Sequence, residues 1–168
     1  MKSLFHGNME DKRKGVRFMT IKVIEGDLLS AEEDIIAHQV NCMGVMGSGI
    51  AKVIRNKYPE VYDQYLNEFK GKSKIELLGE CQVIKTSVGK YVANLFGQFN
   101  FGGDGKKYTD EEALKGALIS LKEFAVENGL SVALPFKIGS DRGGADWNVV
   151  YGIIGEVFAE YSVTLYRL

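Results

Sequence analysis

Apolar and polar positions along this chain change period repeatedly between two and about 3.6, so strands and helices are expected to alternate. "TIKVIEG" (20–26) alternates and predicts a half-buried strand, and "DIIAHQV" (34–40) is a β-branched run suited to a buried one. "GIAKVIRNKYPEVYDQYLNEF" (49–69) predicts two helices broken near Pro59, because proline biases the residue before it away from helix. "GECQVIKT" (79–86) and "KYVANLFG" (90–97) predict two more strands. The clearest helix is "TDEEALKGALISLKEFAVENG" (109–129), with Thr109 and Glu112 as a capping box and Gly129 as the stop. Its apolar stripe is Ala113, Leu114, Ala117, Leu118, Leu121 and Phe124. A strand "LSVALPF" (130–136), a helix capped by Asp146 (146–161) and a closing strand "SVTLYRL" (162–168) complete the series. Helices alternating with buried strands define an α/β class with a mixed, mostly parallel sheet.

At 168 residues the chain is expected to form one domain over 19–168, preceded by a tail, 1–18, that is mobile or adds a strand. Met19 is a possible second start, and "DKRK" in the tail reads as a solvated run. A net charge of −1 gives no general pull toward nucleic acid or anionic membrane. No apolar run reaches membrane-spanning length, and the start lacks the apolar core of a signal peptide. The expected setting is therefore cytoplasmic and reducing, with Cys42 and Cys81 unpaired. No two of the cysteines and histidines have zinc-ligand spacing, so neither metal nor cofactor is expected.

Chemistry concentrates in two glycine-rich segments, each leaving a buried strand and opening a helix. The first, "NCMGVMGSG", carries Gly44, Gly47 and Gly49, and the second, "PFKIGSDRGGADW", carries Gly139, Gly143 and Gly144. Such turns present free backbone N–H groups and the positive end of a helix dipole. Two of them on one sheet edge suit a diphosphate held from both sides. The first lacks the lysine of a P-loop and reverses the dinucleotide fingerprint, which disfavours a kinase or a dehydrogenase. In "EGDLL", Asp27 is placed to accept from an exocyclic amine while the Leu28 N–H meets a ring nitrogen; a turn or helix-cap aspartate is the other reading. Cys42 reads as packing rather than as a nucleophile.

In this order, "GDLL", "VNCMGVMGSGIA", "ALPFKIGSDRGGADW" and "VTLYRL" resemble the macro domain, an ADP-ribose-binding family, over roughly residues 20–168. The resemblance is to the branch of ADP-ribose-1″-phosphate phosphatases, the terminal ADP-ribose protein glycohydrolase and DNA ADP-ribosyl glycohydrolase antitoxins. It implies a three-layer α/β/α fold around a mixed six-stranded sheet. It also implies that Asp27 and Leu28 hold adenine, with Leu168 beside it, and that Asn41 meets the distal ribose. Gly47, Ser48, Gly49 and Ile50 would line that ribose and the diphosphate, with Gly139, Ser140, Arg142 and Gly143 clasping from the other side and Phe136 packing on a ribose. Where the glycohydrolases carry a lysine, this chain has Gln98, and the aspartate position of the protein-directed enzyme falls on Gly143. His38 matches a histidine of the phosphatase-like members, which makes His38 and Asp141 the acid–base candidates. The expected activity is hydrolysis of ADP-ribose 1″-phosphate by a monomer. Alternatives are a non-catalytic ADP-ribose reader and a hydrolase of ADP-ribosylated protein or DNA, with nucleic acid a partner only if so modified. Phe99 and Phe101 fall in a loop suited to cover the site.

Overall fold

The protein is described by a computed structural model covering residues 3–6 and 21–168. Of the expected tail, 1–18, only residues 3–6 are described, and they take the strand-adding form; a start at Met19 and a solvated "DKRK" lie outside the described residues. Strands β2 (Ile21–Glu25), β3 (Ile35–Asn41), β4 (Cys81–Lys85), β5 (Tyr91–Gln98), β6 (Val132–Pro135) and β7 (Val163–Arg167) form the mixed six-stranded sheet. A further strand, β1 (Ser3–His6), pairs antiparallel with β2 and extends the edge, giving the order β1-β2-β7-β6-β3-β5-β4. Strands β2, β7, β6, β3 and β5 run parallel to one another, and β4 is antiparallel to β5.

Strand alternation sends successive side chains to opposite helix layers. Ile35 and Ala37 meet helices α4 (Glu111–Asn128) and α5 (Trp147–Val157), while Ile36 and Val40 meet α1 (Gly49–Lys57), α2 (Pro59–Asn67) and α3 (Lys74–Leu77). On α4 the buried stripe is Leu114, Ala117, Leu118, Leu121 and Ala125, and each fully buried leucine contributes about 1.5–3 kcal/mol. Asp110, rather than Thr109, caps α4 by accepting from Ala113 N at 3.0 Å. Thr109 is instead drawn away to donate to the Gly139 carbonyl at 2.7 Å. Gly129 ends the helix in the left-handed conformation, as its sequence position predicts.

This topology places the carboxyl ends of all five parallel strands on one edge. The turn after β2, the first glycine loop after β3, the loop after β5, the second glycine loop after β6 and the chain end after β7 all meet there. In open α/β sheets that edge is the ligand-binding one. Among the described residues, no helix is long and apolar enough to cross a membrane.

Candidate functional site

The edge holds a cleft of two joined compartments. The near compartment, about 730 Å³, is walled by Asp27, Leu28, Phe136, Tyr166, Arg167 and Leu168. The far one, about 430 Å³, lies between the two glycine loops and reaches Gln39, Gln98 and the loop after β5. Ile50, Pro135, Phe136, Lys137 and Asp141 border both and mark the junction.

Asp27 performs a local job first. Its Oδ1 accepts from Leu29 N at 3.0 Å and caps the 3-10 turn Leu28–Ser30. The carboxylate remains exposed at the compartment wall, which leaves its second oxygen to a ligand. Opposite it, Phe136 packs on Trp147 with ring centroids 5.0 Å apart, and the Arg167 guanidinium covers Phe136 at 4.9 Å. Glu25 pairs with Arg167 and fixes that stack. The result is a flat, partly apolar wall facing one free carboxylate oxygen.

In the first loop, Asn41 is the organiser. Its Oδ1 accepts from Met43 N at 2.9 Å, and its Nδ2 donates to the Val45 carbonyl at 2.8 Å. The Tyr65 hydroxyl, 2.9 Å from the same Oδ1, reinforces the turn. Asn41 borders the cleft, with its Oδ1 and one of its two Nδ2 protons committed to the loop. The loop delivers the chain to α1 through Gly49, whose φ of +59° favours glycine. Ser48 makes no side-chain capping bond. The backbone N–H groups of residues 47–51 therefore have no acceptor among the described residues, and they sit at the positive end of α1.

The second loop turns back on itself by Ile138 N to Pro135 O (3.1 Å), Ser140 N to Lys137 O (2.9 Å) and Ala145 N to Gly139 O (3.0 Å). Lys137 adopts φ +66° without being glycine, a conformation that costs about 1 kcal/mol or more. Gly143 is needed for space, since a Cβ there would lie 2.2 Å from Thr109 Oγ1 and 2.6 Å from Gly139 O. The N–H groups of Gly139, Asp141, Arg142 and Gly143 find no acceptor among the described residues. Arg142 reaches across to the first loop, with its Cδ and Nε 3.7 Å from the position of a Cβ on Gly49. Two sets of unpaired amides thus border one compartment together with Arg142, an arrangement suited to an oxyanion.

Every sequence-predicted site residue borders one compartment or the other except His38 and Ser140. Ser140 turns its hydroxyl inward, where it is buried with no partner among the described residues. His38 is corrected outright. It is 0% exposed, touches neither compartment, and sits among the side chains facing α1–α3. Its Nε2 lies 2.7 Å from Asn94 Oδ1, and Asn94 Nδ2 donates onward to Gln82 Oε1 at 3.0 Å. Burial pushes its pKa down to about 4, so it is a neutral core imidazole with no route to a substrate. Cys42 is core as well, and burial pushes its thiol up to about 11. Phe96 is core, stacked on Tyr65, and Phe99 packs against the same cluster. Phe101 borders the far compartment with 45% of its surface exposed.

What sequence reasoning missed is Gln39. Its Nε2 donates to Gln98 Oε1 and to Thr109 Oγ1, each at 2.8 Å, while Gln98 Nε2 donates to Asn100 O at 2.8 Å. These amides tie β3, β5, the loop after β5 and the second glycine loop together on the cleft floor. The available signal was a polar residue in an otherwise apolar strand, on the face opposite His38.

The family described as Macro domain matches residues 37–154, and this chain belongs to it. It is 30% identical to the ADP-ribose 1″-phosphate phosphatase of Scheffersomyces stipitis, over 85% of this chain and 98% of that protein. The DNA ADP-ribosyl glycohydrolase of Mycobacterium tuberculosis is 31% identical over 74% of this chain, which spans only 35% of that longer relative. Among solved structures, the macrodomain of Mycobacterium tuberculosis DarG superposes with a TM-score of 0.72 at 25% identity, covering 87% of this chain and 96% of that one.

Proposed function

We propose that the domain expected over 19–168 binds ADP-ribose in the two-compartment cleft and hydrolyses ADP-ribose 1″-phosphate to ADP-ribose and phosphate. The carrying observation is the convergence of unpaired amides from residues 47–51 and from the second glycine loop on one space, with the Asp27 carboxylate at the far side of the junction. In this reading adenine lies on Phe136 with its amine on Asp27, and the diphosphate passes between the loops under Arg142. The phosphatase of Scheffersomyces stipitis, matched along nearly its whole length, supports the substrate.

With His38 withdrawn, Asp141 is the only carboxylate among the described residues that borders the far compartment. It would take the proton of a water whose oxygen bonds to phosphorus as the P–O1″ bond breaks. The loop amides would stabilise the charge that develops on the departing sugar oxygen, and Asp141 would return its proton to that oxygen, which leaves as a hydroxyl. No metal or cofactor enters this scheme. The unpaired Cys42 and Cys81 accord with the cytoplasmic setting that belongs to the same reading.

A second reading, an ADP-ribose reader without turnover, draws on Gln98, a neutral amide bonded to Gln39 and Asn100 where the glycohydrolases carry a lysine. Phosphorus NMR of the full chain with ADP-ribose 1″-phosphate separates the two. Growth of inorganic phosphate in proportion to protein, abolished in Asp141→Ala, carries the phosphatase. Shifted diphosphate signals without phosphate release carry the reader.

A further inference from the structure

The loop joining β5 to α4 is the part of the cleft that neither glycine loop explains. It contributes Phe101, Gly102 and Gly103 to the far compartment and nothing to the near one. It is thus at the end away from Asp27, beyond the space assigned to the diphosphate.

Three features make this wall a binding surface rather than a mere cover. The first is a pair of free donors. Phe101 N donates to Asn100 Oδ1 at 2.8 Å, but the N–H groups of Gly102 and Gly103 have no acceptor among the described residues. The second is rigidity. The loop is pinned at its base by Gln98 Nε2 to Asn100 O and by Tyr108 N and Thr109 N to the Gly143 carbonyl, at 2.8 and 2.9 Å. Asp104 fastens its tip, accepting from the Tyr108 hydroxyl at 2.8 Å and from Lys106 N at 3.2 Å. That hydroxyl lies beneath Gly102, where a Cβ would come within 2.3 Å of it, so residue 102 presents bare backbone for lack of room. The third is the charge environment. Lys106 and Lys107 of this loop do not border the far compartment, so the donors that the wall offers there are neutral amides.

We propose that the Gly102 and Gly103 amides form a third arm of the site, one that receives the small oxyanion carried on the distal ribose. This rests on the phosphatase reading for the identity of that oxyanion, the departing phosphate. The first two loops hold the diphosphate that stays with the product, and the third arm holds the group that leaves. Neutral amides suit that task, because they stabilise a phosphate without retaining it as a fixed cation would. A compact group fits between the glycines and Gln98, whereas a base attached to the ribose would have to stack on Phe101.

The test uses the full chain, labelled with nitrogen-15 and saturated with ADP-ribose, titrated with inorganic phosphate. The expected result is a saturable downfield movement of the Gly102 and Gly103 amide protons. In Gly103→Pro, which removes one donor, the phosphate dissociation constant should rise at least tenfold relative to that of ADP-ribose measured by calorimetry. The parent titration needs no substitution, so it decides the matter even if the proline variant fails to fold. Phosphate that moves neither glycine, or moves them in proportion to concentration without saturating, overturns the third arm. Absence of any heat with ADP-ribose overturns the reading of the cleft instead. The phosphate titration is then run without ADP-ribose, and saturation at Gly102 and Gly103 would keep the arm while its absence would remove it.

Discussion

His38 and Gln39 are neighbours in sequence and belong to two different polar rows, one on each face of the same strands. His38, Asn94 and Gln82 lie in register across β3, β5 and β4, facing α1–α3. Their bonds run away from the cleft and end at the exposed Gln64 carbonyl, which accepts from Gln82 at 2.7 Å. Gln39, Gln98 and Thr109 form the other row, whose bonds end on the loops that make the cleft. Residue type alone ranks the histidine as the chemist and the glutamine as filler. One step of strand alternation reverses that ranking. The difference teaches that a titratable group matters only on the face that reaches a ligand, and that this face is set by parity along the strand.

The comparison breaks if the His38 row controls ligand binding, and the largest effect is expected there. His38→Ala opens a cavity and leaves Asn94 Oδ1 unpaired in the core. The expected loss is about 4 kcal/mol of unfolding free energy in urea titration, with ADP-ribose affinity per folded molecule unchanged. A variant that keeps its stability and loses affinity would place the imidazole back at the site. The same row predicts a pH effect of about 3 kcal/mol. In the folded state His38 is held down at about 4, against an ordinary value of 6.5. Between those values the unfolded chain binds the extra proton. Stability is therefore full above pH 6.5 and falls as pH drops toward 4. His38→Gln, which cannot titrate, should flatten that part of the curve, and equal slopes in parent and variant would contradict the buried neutral imidazole.

Much of this architecture was readable beforehand. The strand and helix periods predicted β2–β7, and the α4 stripe of Leu114, Ala117, Leu118 and Leu121 is buried as its spacing required. The two glycine loops were visible because phosphate chemistry needs bare backbone and sequence displays glycine directly. Three things were not readable. The cap of α4 went to Asp110, because Thr109 had a stronger tertiary use at Gly139. The four-residue α3 has too short a pattern to carry a periodic signal. Gln39 and Gln98 lie 59 positions apart, and nothing local says that two amides will meet across adjacent strands.

The cleft side of the comparison is sharpened by Asp27, which acts on the ligand and lies in neither row. Asp27→Ala should weaken ADP-ribose binding by about 2 kcal/mol, the value of a hydrogen bond to a charged group. Because Asp27 also caps the turn at Leu28–Ser30, Asp27→Asn separates the two roles. Asparagine keeps an oxygen for Leu29 N but presents less charge to adenine. Calorimetry should place Asn between Asp and Ala. Unchanged affinity in the alanine variant would remove the adenine from this compartment.

The smallest expected effect is also the one that tests the Gln39 row itself. Gln39→Leu fills the same slot, so the floor of the cleft gains no void. It removes the two donors to Gln98 and Thr109, yet Thr109 can still bond Gly139, and Gln98 is partly exposed and can turn to water. The Gln39 Oε1 has no partner among the described residues, so losing it leaves no protein donor orphaned. The net stability change should therefore stay within about 0.5 kcal/mol. Binding should suffer more than folding, by about 1 kcal/mol, because the loops lose a shared tether just where they must hold still against phosphate. The signature is thus a ratio rather than a size: affinity falls while the urea midpoint stays, the inverse of His38→Ala. If both substitutions lowered stability and neither touched affinity, the two rows would be equivalent core features, and the cleft would owe its shape to the glycine loops alone.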